Sequence, residues 1–431
     1  MCRITLSLVF FNWITFGGII PAVAETMAVI ANFGEKEVMR VLTDEESVTE
    51  TEVSGQPYGV AITADGRQAL ITLEDTDQLA FIDMERFSET PIFLSVGESP
   101  RGVAVDPNGV YAYVSNYGSD TLSRVSLRGQ SIVDTFEVGD GPLGVAVAYD
   151  EKEDVAKIFV ANQLEDTITV IEGESQTTID DVGDGPTGMS VSTDGKTLFV
   201  AVTNDNKLSI IDTDDNEIID TLLVGDEPWG VAIGAEGEYV YVTNSGDDTV
   251  TVVSANDYTI ERIFRVGDVP RGVAAPRNGT YAYVVNQAVG SISKIEMDDN
   301  TVTVIDGVSL SDAYCLGAFI GGEPPNSPSG LELVTTQANR VDLQWSDNSD
   351  DESGFRIERS KDDEEDYRQI AVVNPDATTY QDDGLDSETI YYYRIRSYNE
   401  AADSDYSASA RIETLPFSGS VWCFIHSMLE S

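Results

Sequence analysis

An all-β chain, built as a closed ring of seven blades followed by a two-sheet sandwich, is what the sequence predicts, and three observations carry it. A line that reads VGDEPWGVAIGAEGEYVYVTNSGDDTVTVVS at 224–254 begins again, with substitutions, about every forty-two residues for most of the chain. Each copy holds runs rich in Val, Ile, Thr and Tyr, with Gly, Asp, Asn and Pro between them, which is how strands and their turns are written. After Ile320 the repeat stops, and a different alternating pattern begins behind a Gly/Pro/Ser stretch. Sustained helical periodicity occurs nowhere.

The glycine of a PxG step aligns the copies at Gly59, Gly102, Gly144, Gly188, Gly230 and Gly272, with gaps of 43, 42, 44, 42 and 42 residues. Four strands fit each copy: a GVAV-like run, a YVYVTN-like run, a TVTVV-like run and a looser fourth. Four strands per repeat of this length is the pattern of a β-propeller, in which a blade buries its faces only against its neighbours. Six complete copies run from about 54 to 308. Residues 27–53 supply the second, third and fourth strands of a seventh, with Asn32 in the slot of Asn244. Its first strand comes from the other end, where CLGAFI (315–320) matches PWGVAI and places Gly317 on Gly230. The ring therefore spans 27–320 and closes without an open edge.

The runs AYVSN, IFVAN, YVTN and AYVVN, each followed by a DT or similar turn, resemble the YVTN family of β-propeller repeat proteins. The resemblance implies a seven-bladed ring and a secreted, periplasmic or surface-layer setting, and fixes no ligand. Asn116, Asn162, Asn244 and Asn286 read as turn caps, since Asn tolerates turn geometry and bonds nearby backbone. Blades 1 and 4 depart from the pattern, with Leu73 and Val202 in that slot.

Residues 321–328 read as a linker, and 329–416 as a domain of half-buried antiparallel strands. This domain resembles fibronectin type III, which assigns Trp345 to the core between two sheets and Leu385 and Tyr391 to structural roles, the latter as a tyrosine corner. In that family such a domain serves as a spacer or adhesion module. DNSDDESG at 347–354 is acidic, but it lacks the ligand spacing and central glycine of an EF-hand loop. The last residues, 417–431, form a short apolar tail that reads either as a surface-sorting signal or as a frayed end.

Residues 1–24 have one early Arg, an apolar run and Ala22-Val23-Ala24, the pattern of a secretory signal cleaved after Ala24; a retained anchor is the alternative. No stable membrane span is expected once it is removed. Secretion, the periplasm or the cell surface of a bacterial or archaeal envelope is the expected location. Three cysteines give no disulfide framework. With 25 basic and 76 acidic residues the net charge is −51, a surface that repels nucleic acid and anionic lipid. Salt or divalent cations should help such a chain stay compact. No cofactor is assigned; calcium is possible, and a merely solvated acidic face fits equally.

The single histidine, His426, lies in the tail, so no Ser-His-Asp set and no histidine-ligated metal belongs to the ring. There is no CxxCH and no phosphate-cradling glycine pattern. A binding protein without catalytic residues is the first expectation, its partner an extracellular glycan, a peptide or an envelope protein. The rival is a histidine-free, lactonase-like hydrolase with a carboxylate or calcium site. If the GVAV run is innermost, the PxG loops gather at the mouth of the channel, where x varies within a fixed frame: Tyr58, Arg101, Leu143, Thr187, Trp229, Arg271 and, in the closing blade, Leu316. A variable position on a constant scaffold is how a fold carries a site; free loop positions would vary in the same way. The two aromatic–arginine pairs, Tyr58 with Arg101 and Trp229 with Arg271, are expected to face each other across the channel.

Overall fold

The computed structural model describes residues 26–416 apart from 43–46, 151–154, 235–236, 277–280, 306–309, 311, 316, 318–319, 323–324, 350–351, 362–366 and 400–402. The segments read above as a leader, 1–24, and as a tail, 417–431, thus lie outside the described residues. Seven antiparallel sheets make the ring among those residues. Blade 5 shows the pattern: Pro228–Gly234 innermost, then Tyr239–Asn244, Thr249–Ser254 and Ile260–Arg265. The first strands of successive blades touch around the axis. The middle strands, YVYVTN and TVTVVS, are buried almost throughout, whereas the fourth is mostly exposed. Middle strands are covered on both faces by neighbouring blades, which is why they read as continuous apolar runs rather than alternating ones.

The PxG step has a geometric cause. In all six complete blades the register slips just after the proline: Pro228 pairs with Asn244 and Val231 with Val242, so Trp229 and Gly230 together face Thr243. Pro100, Pro142 and the other three show the same shift. This bulge pushes x and Gly towards the axis. A Cβ on Gly59, Gly102, Gly144, Gly188 or Gly230 would collide with the carbonyl oxygen of the next blade's x residue, so only glycine allows the inner strands to meet. Below the mouth the channel narrows to a cavity of about 20 Å³ lined by Gly102, Gly144, Gly188 and Gly230 with Met189 and Cys315. That is room for about one water.

Blade 7 closes as the sequence implies, by a C-terminal inner strand on N-terminal partners, but its register differs from the alignment of CLGAFI with PWGVAI. Ala313 pairs with Asn32 and Tyr314 with Ala31, and the next pair is Ile320 with Ala28. Ala313 therefore takes the proline's place and Tyr314 the x position. Leu316 lies outside the described residues. The second half of the alignment holds, since Ile320 and Ile233 occupy equivalent positions.

Beyond the ring, strands Ser329–Gln337, Arg340–Ser346 and Thr379–Asp383 form one sheet, and Arg368–Val373, Gly354–Lys361, Ile390–Tyr398 and Ala410–Glu413 the other. Trp345 is buried between them, edge-on to Phe355. Leu385 is buried too, and the Tyr391 hydroxyl accepts the Asp386 N–H at 3.0 Å, the tyrosine-corner bond. The sandwich meets the ring at the ADG turn of blade 1: the Asp403 N–H donates to the Ala64 carbonyl (2.8 Å), and Arg67 forks onto Asp405 (2.6 and 2.8 Å). That turn follows the far end of the inner strand, opposite the mouth, which leaves the mouth uncovered by the sandwich.

Candidate functional site

Two rings of side chains build the mouth. The x residues supply the first. The second comes from the position after the asparagine slot: Glu74, Tyr117, Gln163, Thr203, Ser245, Gln287 and Phe33. The asparagines themselves are structural. Asn244 is buried, its Oδ1 accepts the Gly225 N–H (3.1 Å), and its amide donates to Thr249 and Thr251 (2.9 Å each). Asn116 makes the same set with Gly97, Thr121 and Ser123. These bonds fix the end of the second strand, and so the residue that follows it.

The six predicted site residues divide by burial. Tyr58, Leu143 and Thr187 are buried; Arg101, Trp229 and Arg271 are half-exposed. Tyr58 stacks on Tyr314 with ring centroids 4.7 Å apart, and Phe33 stands edge-on to both. Leu143 packs in the same apolar cluster, with Trp229 and Tyr117 at its border. The Thr187 hydroxyl donates to the Trp229 carbonyl (3.0 Å), so it links blades rather than facing outward. Burial pushes the Tyr58 phenol well above its ordinary pKa, and it stays neutral.

The two arginines are not equivalent. Arg101 lies over the Tyr117 ring at 3.6 Å, with Tyr58 farther off at 5.4 Å, and both its Nε and one terminal nitrogen donate to Glu74 (2.9 and 2.7 Å). Burial works against its charge, but Tyr58 and Glu74 raise the guanidinium pKa above its ordinary value. Its charge is already answered. Arg271 lies over Trp229 at 3.9 Å, and its Nε donates to the neutral amide of Gln287 (3.1 Å). Among the described residues no carboxylate pairs with it. A planar guanidinium fixed on an indole keeps a fork of donors for a planar anion.

Of these residues, Tyr314, Phe33, Tyr117, Glu74 and Gln287 are additions to the predicted set. Variation at the position after the asparagine slot was the available signal for all but Tyr314, which takes the x position of the closing blade. Arg101 meets Tyr58 at 5.4 Å and lies closer still to Tyr117, at 3.6 Å; Arg271 meets Trp229 at 3.9 Å.

Comparison with known proteins agrees with this architecture. Residues 326–413 match the fibronectin type III domain, and residues 225–309 match the family described as lactonase, 7-bladed beta-propeller. No curated protein is significantly similar to the chain in sequence. Among solved structures, a functionally unknown protein from Desulfotomaculum acetoxidans is similar at 14% identity and a TM-score of 0.58, covering 68% of this chain and 99% of its own. A putative 6-phosphogluconolactonase from Bacteroides fragilis is similar at 15% identity and 0.56, covering 68% and 97%. A catalytically inactive histidine-to-alanine variant of virginiamycin B lyase from Staphylococcus aureus is similar at 14% and 0.50, covering 62% and 93%. Likeness at such identities is likeness of fold. The chain is a seven-bladed β-propeller joined to a fibronectin type III domain.

Proposed function

We propose that the protein is a secreted or cell-surface binding protein without catalytic residues, whose propeller mouth takes an extracellular ligand bearing a carboxylate, an acidic glycan or a peptide. The observation that carries this reading is Arg271: a guanidinium held on Trp229 and bonded only to a neutral amide, in a chain of net charge −51. So acidic a protein repels anions in general, and one arginine with an open fork at the mouth would select an anion of the right shape. Trp229 and the half-exposed rings of Tyr314 and Phe33 add apolar surface for a sugar ring or side chain. With the fibronectin type III domain on the opposite face, it serves as a spacer that presents the mouth. Nucleic acid is not among the proposed partners. No helix of the described residues is long and apolar enough to cross a membrane.

The test is binding of acidic and neutral oligosaccharides and of peptides with free or amidated carboxyl termini, measured by calorimetry. Arg271→Ala should weaken binding of the carboxylated ligands by about 1–3 kcal/mol, the worth of a charge-assisted bond, without moving the melting temperature. Arg101→Ala should act mainly on stability, because it leaves half-buried Glu74 without its partner. Full affinity in Arg271→Ala for a ligand that the wild type binds would place the site elsewhere.

The match of residues 225–309 to the lactonase family favours a second reading, a histidine-free lactone hydrolase. Among the described residues of the two rings, the carboxylate is Glu74, engaged with Arg101. Incubation with a lactone panel, with and without calcium, decides between the two: turnover abolished by Glu74→Gln would overturn the binding reading.

A further inference from the structure

The acidic stretch at 347–354 links Arg340–Ser346 to Gly354–Lys361 in the sandwich. Two of its carboxylates, Asp347 and Glu352, meet a third that the sequence alone does not place beside them. This is Asp376, on the turn between Arg368–Val373 and Thr379–Asp383. One oxygen of each residue lies within 4.8 Å of the others. Two of these carboxylates accept backbone N–H groups: Asp347 Oδ1 that of Ser349 (3.0 Å), and Glu352 Oε1 that of Asp376 (3.0 Å). Glu352 carries the decisive feature. It is only 9% exposed, and its Oε2 is shut off from solvent with no hydrogen-bond partner. A buried carboxylate oxygen without a donor, beside two further carboxylates, is a costly arrangement unless a cation completes it.

We propose that Asp347, Glu352 and Asp376 form a calcium site in the fibronectin type III domain. Calcium takes six to eight oxygens at about 2.3–2.6 Å, so two of its ligands stand up to about 5 Å apart. Three carboxylate oxygens within 4.8 Å fit that sphere, and Glu352 Oε2 gains the partner it lacks. Asp376 is exposed and gives the ion a way in. The same loop grips the linker: Ser349 Oγ accepts the Asn326 N–H (3.0 Å), and the Asn348 amide donates to the Ser327 carbonyl (2.7 Å). Calcium there would stiffen the junction between the two domains.

The experiment titrates calcium chloride into the EDTA-stripped full chain in 0.15 M NaCl, over the range of extracellular calcium modules, about 10⁻⁴–10⁻³ M. Wild type is compared with Glu352→Gln and Asp376→Asn. Diffuse binding to the acidic surface is common to all three; wild type should show one additional saturable ion, bound at least tenfold more weakly in each variant. In EDTA, Glu352→Gln should melt no lower than wild type, since it removes a buried charge; in calcium the order should reverse. Equal binding in wild type and variants would overturn the site, as would an equal melting shift with magnesium chloride at the same concentrations. A lower melting temperature of Glu352→Gln in EDTA would also overturn it, because Glu352 would then be serving another bond.

Discussion

A single hydroxyl joins neighbouring blades. Thr243 Oγ1 accepts the Gly230 N–H (2.8 Å) and donates to the Arg271 carbonyl of the next blade (2.9 Å). Ser115 does the same between Gly102 and Leu143, and Thr72 between Gly59 and Arg101. The threonine of the YVTN run is thus as purposeful as its asparagine. Blade 4 has Ala201 in that place, and there Thr187 at x supplies the hydroxyl to the Trp229 carbonyl. Thr243→Val keeps the shape and removes both bonds, leaving a buried N–H and a buried carbonyl short of partners. Unfolding by denaturant should show a loss of about 1–3 kcal/mol for each group orphaned, while Thr243→Ser stays close to wild type. If valine is neutral, the bond between blades contributes nothing. Thr187→Val should cost a similar amount, because its hydroxyl has the same duty.

The closing strand is the element on which the ring depends, and Cys315 reports on it. The residue is buried, its sulfur accepts the Ala31 N–H at 3.4 Å, and burial pushes its thiol pKa up to about 12. A thiol so placed is protonated and out of reach of alkylating reagents. In a chain carrying Cys2→Ser and Cys423→Ser, labelling of Cys315 should be negligible in buffer and should follow the denaturation curve; rapid labelling under native conditions would show that the seam opens on its own. Ending the ring before Ala313 should abolish cooperative melting, whereas removing 329–431 should leave the ring's transition in place. How much of this was readable depended on repetition. Six blades share one phrase, so their strands, the recurring PxG step and the need for a seventh blade stood in the sequence, while the bulge at that step did not. The seventh blade's register did not, because its own Gly317 drew the alignment, while the pairing jumps from Tyr314–Ala31 to Ile320–Ala28. The x residues were legible as variation in a fixed frame. Their burial was not: Tyr58 and Leu143 sink into a cluster with Tyr314 and Phe33, residues from the two ends of the ring. Asp376 was illegible for the same reason, since it joins Asp347 and Glu352 only through the packing of two loops.

For the molecule as a whole, charge sets the conditions of stability. Twenty-five basic residues face 76 acidic ones, so most carboxylates have no cation to pair with, and exposed pairs such as Arg86 with Asp83 and Lys361 with Asp386 each contribute little. Self-repulsion therefore goes largely unanswered. Raising salt from about 0.01 to 1 M shortens the Debye length from about 30 to about 3 Å, so the melting temperature should climb with sodium chloride. Acid should act in two opposed steps. Burial raises the carboxyl pKa of Asp106, and burial with nearby Glu50, Glu35 and Glu52 raises that of Glu37. The folded state binds these protons more tightly than the unfolded one, so their destabilising effect at neutral pH is relieved as pH falls through the raised values. Asp194 and Asp205 lie the other way: Ser192 bonding holds the first below its ordinary value, and the Asp184 N–H with Lys207 holds the second. Their stabilisation is present above the unfolded carboxyl pKa of about 3.9 and is lost as pH falls below it. At low salt the melting temperature should thus rise from pH 7 to about pH 5 and fall below about pH 4, and molar salt should flatten the rise while keeping the fall. A melting temperature indifferent to salt and greatest at neutral pH would show that the acidic excess serves solubility alone and leaves the folded ring unstrained by its own charge.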